Sequence, residues 1–318
     1  MIKRIDDHDF EHRRERRRKR RLRTISMLPT LLTLGNLYFG FAAIYCCCRE
    51  AEDLGRGVQA DFERTLNSHF FEAKAPSFLS IGFWMLTAAM LCDALDVRVA
   101  RKTGAASKFG EQLDSLADVV SFGVAPALMM VLMVRREFSV WVDTSAFAKH
   151  YSQFALFLAV IYACCTALRL ARFNVETSLD ESAHRGFKGL PSPGAGAGLV
   201  SLIFLHEHLD ISLHWDGAAA VIVWTIPVIT LVLALLMVSR VTYVHFLSSF
   251  LRRRPFSHVI PILLVIPLII KYTEVTVTVG AWLFILSGPI RLLWKRARAA
   301  GSLPAPATPV VQPGDEHP

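Results

Sequence analysis

The chain has 318 residues, 53% of them hydrophobic and 19% charged, with a formal net charge of +8. That apolar share excludes an ordinary soluble domain and places the chain among polytopic membrane proteins. Much of the positive charge sits in one arm, Arg13–Arg23 (RRERRRKRRLR); because an apolar span follows directly, the arm is expected to lie against anionic lipid head groups, not nucleic acid.

In chain order, residues 1–26 form this basic arm, expected in the cytoplasm. No basic region, apolar stretch and small-residue cleavage site precedes it, so no signal peptide is expected. A spanning helix needs about 20 mostly apolar residues. Stretches near 28–48, 77–100, 113–134, 153–173, 190–208, 218–239, 256–272 and 275–294 are candidates. The expected fold is therefore all-α, a polytopic transmembrane helical bundle of about eight spans. Six form a core over 27–240, and two form a C-terminal hairpin over 241–298. The seventh is short and carries Pro261 and Pro267, which predicts a kink or break. A mixed loop near 49–76 interrupts the core, and the Pro- and Ala-rich tail, 299–318, reads as disordered.

With the arm inside, the same side receives Lys102, Lys108, Arg185, Lys188, Arg252–Arg254, Lys295, Arg296 and Arg298. This agrees with the positive-inside rule. Cys46, Cys47, Cys48, Cys92, Cys164 and Cys165 lie in apolar stretches without metal-ligand spacing and read as small apolar fillers. His206, His208 and His214 fall on the far side and are expected at the interface, not as metal ligands.

The chemistry-bearing segment is DALDVRVARKTGAASKFGEQLDSLAD, Asp93–Asp118. Asp93 and Asp96 are three apart, and Asp114 and Asp118 four apart, so each pair shares a helix face. A short glycine-containing loop joins the two helices and makes them antiparallel neighbours. An Asp at the centre of a spanning helix costs about 2.5–3.5 kcal/mol on the insertion scale, and less near the interface. Divalent cations such as Mg2+ or Mn2+ match this hard-oxygen set, and a pair of them suits in-line displacement at phosphorus. A metal-ion transporter would also bury acidic residues, but near the midplane and on several spans; here they gather on one hairpin at one face.

The segment resembles the CDP-alcohol phosphatidyltransferase motif D-x-x-D-G-x-x-A-R, eight residues, G-x-x-x-D-x-x-x-D. Asp93, Asp96, Ala100, Arg101, Gly110, Asp114 and Asp118 match at the motif's spacing, and Val97 stands where the motif has glycine. The stretches TLGNLYFGF (Thr33–Phe41), SKFGEQLDSLADVVSFGVAPA (Ser107–Ala127), LRLARFNV (Leu168–Val175) and FKGLPSPGAGAG (Phe187–Gly198) are similar to the phosphatidylserine synthase branch.

The resemblance implies metal binding by Asp93, Asp96, Asp114 and Asp118, with two Mg2+ or Mn2+ ions and Asp118 also as general base. It implies donor contacts from Arg101 and Ser107, and places Val97 against the nucleotide. The implied reaction transfers the phosphatidyl group of CDP-diacylglycerol to L-serine, releasing CMP. Sister enzymes use glycerol phosphate or inositol phosphate instead. The serine carboxylate needs a cation; Arg169 and Arg172, with Lys188 nearby, are the candidates, and interfacial snorkelling is the alternative for the two arginines. Asn36, polar within the first span, is read as a ligand of substrate or a bond to a neighbouring helix. Expected partners are the two substrates and membrane lipids, and a homodimer is compatible with this reading. The expected setting is a multi-pass membrane protein, of bacterial inner-membrane type, with its site on the cytoplasmic face.

Overall fold

The computed structural model describes residues 28–52, 54, 77–103, 108–139, 146–179, 187–243 and 271–301. Among the described residues the fold is helical apart from one two-residue antiparallel ladder. In chain order the helices are α1 (Leu28–Glu52), α2 (Phe78–Thr103), α3 (Lys108–Glu137), α4 (Ala146–Leu179), α5 (Ser192–Glu207), α6 (Asp216–Val238) and α7 (Thr273–Gly301). β1 (Phe187–Lys188) and β2 (Thr242–Tyr243) pair Phe187 with Tyr243 and Lys188 with Thr242.

Among the described residues, six helices are long and apolar enough to cross a membrane: α1, α2, α3, α4, α6 and α7. The expected fifth span corresponds to α5, whose 16 residues are continued by a five-residue π-helical turn, His208–Ser212, and it is not among these six. Most of the expected seventh span (256–272) lies outside the described residues, as do the basic arm, the tail beyond 301 and most of the 49–76 loop. The start of that loop is a correction: α1 continues to Glu52. Arg49 and Glu52, three apart, pair at 3.0 Å in this added turn, and Glu50 accepts from Arg136 of α3 at 3.2 Å.

α3 and α5 are the enclosed helices. Nearly every residue of α3 from Ser121 to Val134 is buried, whereas α1 turns Leu31, Leu34, Tyr38, Phe41 and Tyr45 outward. Such an apolar exterior is what a lipid environment requires. The inner stripe of α1 is Thr33, Asn36, Gly40, Ala43, Cys47 and Glu50, all buried at alternating three- and four-residue spacing. Gly40 is obligatory, because a Cβ there would lie 2.1 Å from Ser121 Oγ.

The small residues after Pro191 set the packing of α5. Pro191 is its N-cap. A Cβ on Gly198 would meet Ile285 of α7 at 2.3 Å, and one on Gly194 would meet Phe284 at 2.9 Å. Further along α5, Phe204 stacks on Phe83 of α2 with ring centroids 3.9 Å apart. Just before α5, Gly189 takes φ +88° and donates to Val241 O at 2.8 Å. That turn lays β1 against β2 at the C-terminal end of α6. Tyr243 of β2 is buried beneath α7, donates to Ile285 O at 3.2 Å, and has its phenol pushed up to about 12 by burial.

His206 corrects its expected interfacial placement: it is fully buried on α5. Beside it Arg136 pairs with Glu207, with Glu50 at 3.2 Å and with Glu137 at 3.4 Å. Ser77 donates to the other oxygen of Glu207. This charged cluster joins α1, the start of α2, α3 and α5 at the end of the bundle away from the motif aspartates.

Candidate active site

The opposite end of the bundle gathers the motif. On α2, Leu86, Ala89, Asp93 and Asp96 fall on one inward stripe. On α3, Asp114 and Asp118 are one turn apart and face that stripe. Ligand atoms of Asp93, Asp114 and Asp118 all lie within 4.8 Å of one another. Asp118 and Asp96 are buried; Asp93 and Asp114 are half-buried.

Asp96 faces α1. Thr33 Oγ1 donates to its Oδ2 at 2.5 Å. One turn along α1, Asn36 Nδ2 donates to Asp118 Oδ1 at 3.0 Å, while the Asn36 backbone carbonyl accepts from Ser121 Oγ at 3.0 Å. A hydrogen bond to a carboxylate contributes about 1.5–3 kcal/mol, so α1 orients two motif carboxylates as well as packing against them.

Immediately after Asp118, the backbone changes to a π-helical stretch, Val119–Val124, before α-helix resumes at Ala125. Wider turns of this kind insert a residue into the helical phase and recur at functional sites. Tyr162 of α4, fully buried, donates to Phe122 O in this stretch at 3.0 Å. Gly123 lets Thr166 approach; a Cβ there would meet its side chain at 3.2 Å. Tyr162, Thr166 and Arg169, spaced four and three apart, therefore form the inner face of α4.

Arg169 is half-buried and interacts electrostatically with Asp93 and Asp118. Its Nη1 donates to Ser192 Oγ at 2.5 Å, and its buried Nε has no hydrogen-bond partner. Arg172, one turn further along α4, is paired with Glu176 at 2.8 Å. Nearer the mouth of the α3–α4 packing, Asn174 Nδ2 donates to Ser115 Oγ at 3.0 Å.

Val97 is 43% exposed on α2. Arg101 lies near the C-terminal end of that helix, and Ser107 falls outside the described residues. Thr33, Ser115, Asn174 and Ser192 were not singled out from the sequence. For Thr33 the available signal was its place three residues before Asn36 and seven before Gly40 in an apolar span. For Ser192 no sequence spacing pointed to Arg169.

The donor set fits a divalent cation. Asp96 Oδ1 and Asp114 Oδ1 are buried without hydrogen-bond partners, and three carboxylates converge near the Arg169 guanidinium. Carboxylate oxygens at this density suit Mg2+ or Mn2+, and a bound cation would offset their mutual repulsion.

A CDP-alcohol phosphatidyltransferase family model matches residues 26–232. A CDP-diacylglycerol–serine O-phosphatidyltransferase of Helicobacter pylori is 33% identical over 164 residues, 51% of this chain and 60% of that protein. One from Methanocaldococcus jannaschii is 42% identical over 118 residues, 37% of this chain and 47% of that protein. One from Bacillus subtilis is 29% identical over 222 residues, 70% of this chain and 92% of that protein. The chain thus spans about half the length of the first two relatives and nearly all of the third.

Proposed function

The chain belongs to the CDP-alcohol phosphatidyltransferase family, and from that premise we propose that it transfers the phosphatidyl group of CDP-diacylglycerol to the hydroxyl of L-serine. The observation that carries this reading is the convergence of Asp93, Asp114 and Asp118 within 4.8 Å, joined to the relatives' shared activity. The serine oxygen forms a bond to the phosphorus that carries diacylglycerol. The bond from that phosphorus to the oxygen of CMP breaks, and CMP leaves with the electron pair.

Asp93, Asp96, Asp114 and Asp118 would hold the divalent metal, as two Mg2+ or Mn2+ ions. Bound there, the metal supplies Lewis-acid polarisation of the diphosphate and charge neutralisation of the leaving phosphate. Asp118 takes the proton from the attacking hydroxyl. Asn36 holds Asp118 Oδ1 at 3.0 Å, which fixes the carboxylate's plane and leaves its second oxygen for that proton. Arg101 and Ser107 engage the donor phosphates, and Val97 lies beside the nucleotide.

For the acceptor, Arg169 supplies the cation that meets the serine carboxylate. Arg172, with its own partner in Glu176, stands behind it. The site faces the cytoplasm, where CDP-activated donor head groups and free serine meet, and the lipid tails remain between the helices.

The test is direct. Purified protein in detergent receives CDP-diacylglycerol, Mn2+ or Mg2+, and labelled serine, and CMP and labelled lipid are followed. Equal formation of both, abolished by chelation, is the expected result. CMP release with glycerol phosphate or inositol phosphate, and none with serine, would assign the chain to a sister activity.

A further inference from the structure

Arg169 occupies an unusual position for a cation. It stands beside Asp93 and Asp118 and acts on both through space, yet among the described residues it closes no ion pair with either. A half-buried guanidinium beside carboxylates ordinarily relaxes into a bidentate pair with one of them. Such a pair would remove a carboxylate from the metal-binding set.

The contact that restrains it comes from α5. Ser192 is fully buried in the first turn of that helix, and its Oγ accepts from Arg169 Nη1 at 2.5 Å. Pro191 and Pro193 flank this serine, so the backbone that carries the hydroxyl has little freedom. With Nη1 engaged, the guanidinium edge formed by Nε and Nη2 is the one left for an anion. The protein gives its buried Nε no partner. That edge is a planar two-donor fork matched to a carboxylate.

We infer that Ser192 is a positioning residue for Arg169, holding the guanidinium away from the metal-binding aspartates so that its free edge meets the acceptor's carboxylate. The inference rests on the proposed serine reaction and deepens it. Selectivity for a carboxylate-bearing alcohol then depends on a hydroxyl that touches neither substrate.

The experiment compares Ser192→Ala with wild type and with Ser201→Ala. Ser201 is a fully buried serine on the same helix, and its hydroxyl bonds only to Gly198 O. In the full-length protein, KM is measured separately for serine and for CDP-diacylglycerol. Loss of the tether should raise KM for serine by roughly ten-fold, with KM for the donor within about two-fold of wild type. Ser201→Ala should leave both unchanged, because a general loss of buried hydroxyl bonding does not discriminate between substrates. An unchanged KM for serine in Ser192→Ala overturns the inference. So does a parallel rise in both KM values, or an equal shift in Ser201→Ala. Wild-type protein that forms no product from serine would instead remove the proposed reaction, and the inference with it.

Discussion

At one end of the bundle, α2 and α3 present Asp93, Asp96, Asp114 and Asp118, with Arg169 as the near cation. At the other, Arg136 is enclosed by Glu50, Glu137 and Glu207. Among the described residues, each of the two clusters sets several carboxylates around one guanidinium. In the Arg136 cluster the arginine bonds directly to acid side chains, and both oxygens of Glu207 have donors, from Arg136 and Ser77. At the aspartate end Arg169 is held back from the acids, and Asp96 and Asp114 each leave an oxygen unpaired. Satisfied buried charge ties helices together, while unsatisfied buried charge costs stability unless a ligand completes it. One stripe of α1 serves both ends: Thr33 and Asn36 bond to aspartates, and 14 residues on, roughly 21 Å along the helix, Glu50 bonds to Arg136.

The contrast predicts opposite responses to charge removal. The largest effect belongs to Asp118→Asn, which removes the proposed base and a metal ligand. Its kcat should fall by roughly 10²–10⁴-fold, while its melting temperature without metal stays at or above wild type because one of the mutually repelling carboxylates is gone. A melting temperature clearly below wild type would mean that this end is held together by its carboxylates.

At the other end, Glu207→Ala should destabilise the protein by about 1–3 kcal/mol, since it takes the acceptor from Ser77 and from one Arg136 donor while Glu50 and Glu137 still balance the charge. Thermal unfolding in detergent reads this directly. The surviving folded protein should keep the wild-type KM for both substrates. A catalytic defect without loss of stability would contradict a purely structural role.

Metal addition sharpens the comparison further. Mn2+ or Mg2+ at about 100 times its dissociation constant should stabilise wild type by roughly 2.7 kcal/mol. The gain should be lost in Asp114→Asn and kept in Glu207→Ala. Equal stabilisation of all three proteins would place the cation elsewhere.

The smallest expected effect is at Val97, on the exposed side of α2. Glycine there would let the donor nucleotide approach the backbone more closely. Val97→Gly should lower KM for CDP-diacylglycerol a few-fold, with KM for serine unchanged. Identical donor affinity would show that the valine causes no steric conflict.

The aspartates were legible in the sequence because their chemistry demands a spacing: acids three and four apart on a helical hairpin set carboxylates on facing stripes, where a cation must offset their repulsion. The apolar spans were legible for a similar reason, since membrane thickness imposes a length. Asp96 was harder. Its place in the motif says nothing of Thr33, which lies 63 residues away on another helix. Arg169 and Arg172 look alike in LRLARFNV and, three apart, share a side of α4; only the depth at which that helix packs separates the one beside the aspartates from the one, a turn further on, paired with Glu176. The Arg136 cluster was hidden because its members come from three helices and the residue before a fourth, and no local pattern links them. α5 overlaps the expected fifth span, and its glycines, alanines and leucines read as lipid-soluble, whereas most of them pack against protein.

The wide turn at Val119–Val124 has a consequence for how this chain can vary over generations. A point substitution alters one side chain and leaves the rest of α3 aimed as before. Losing or gaining a single residue in that turn would rotate everything upstream by about 100°, sending Asp114 and Asp118 away from Asp93 while Phe122, Gly123 and the buried methionines stayed packed. The segment therefore behaves as a reading frame written in three dimensions: it tolerates spelling changes far better than changes of length.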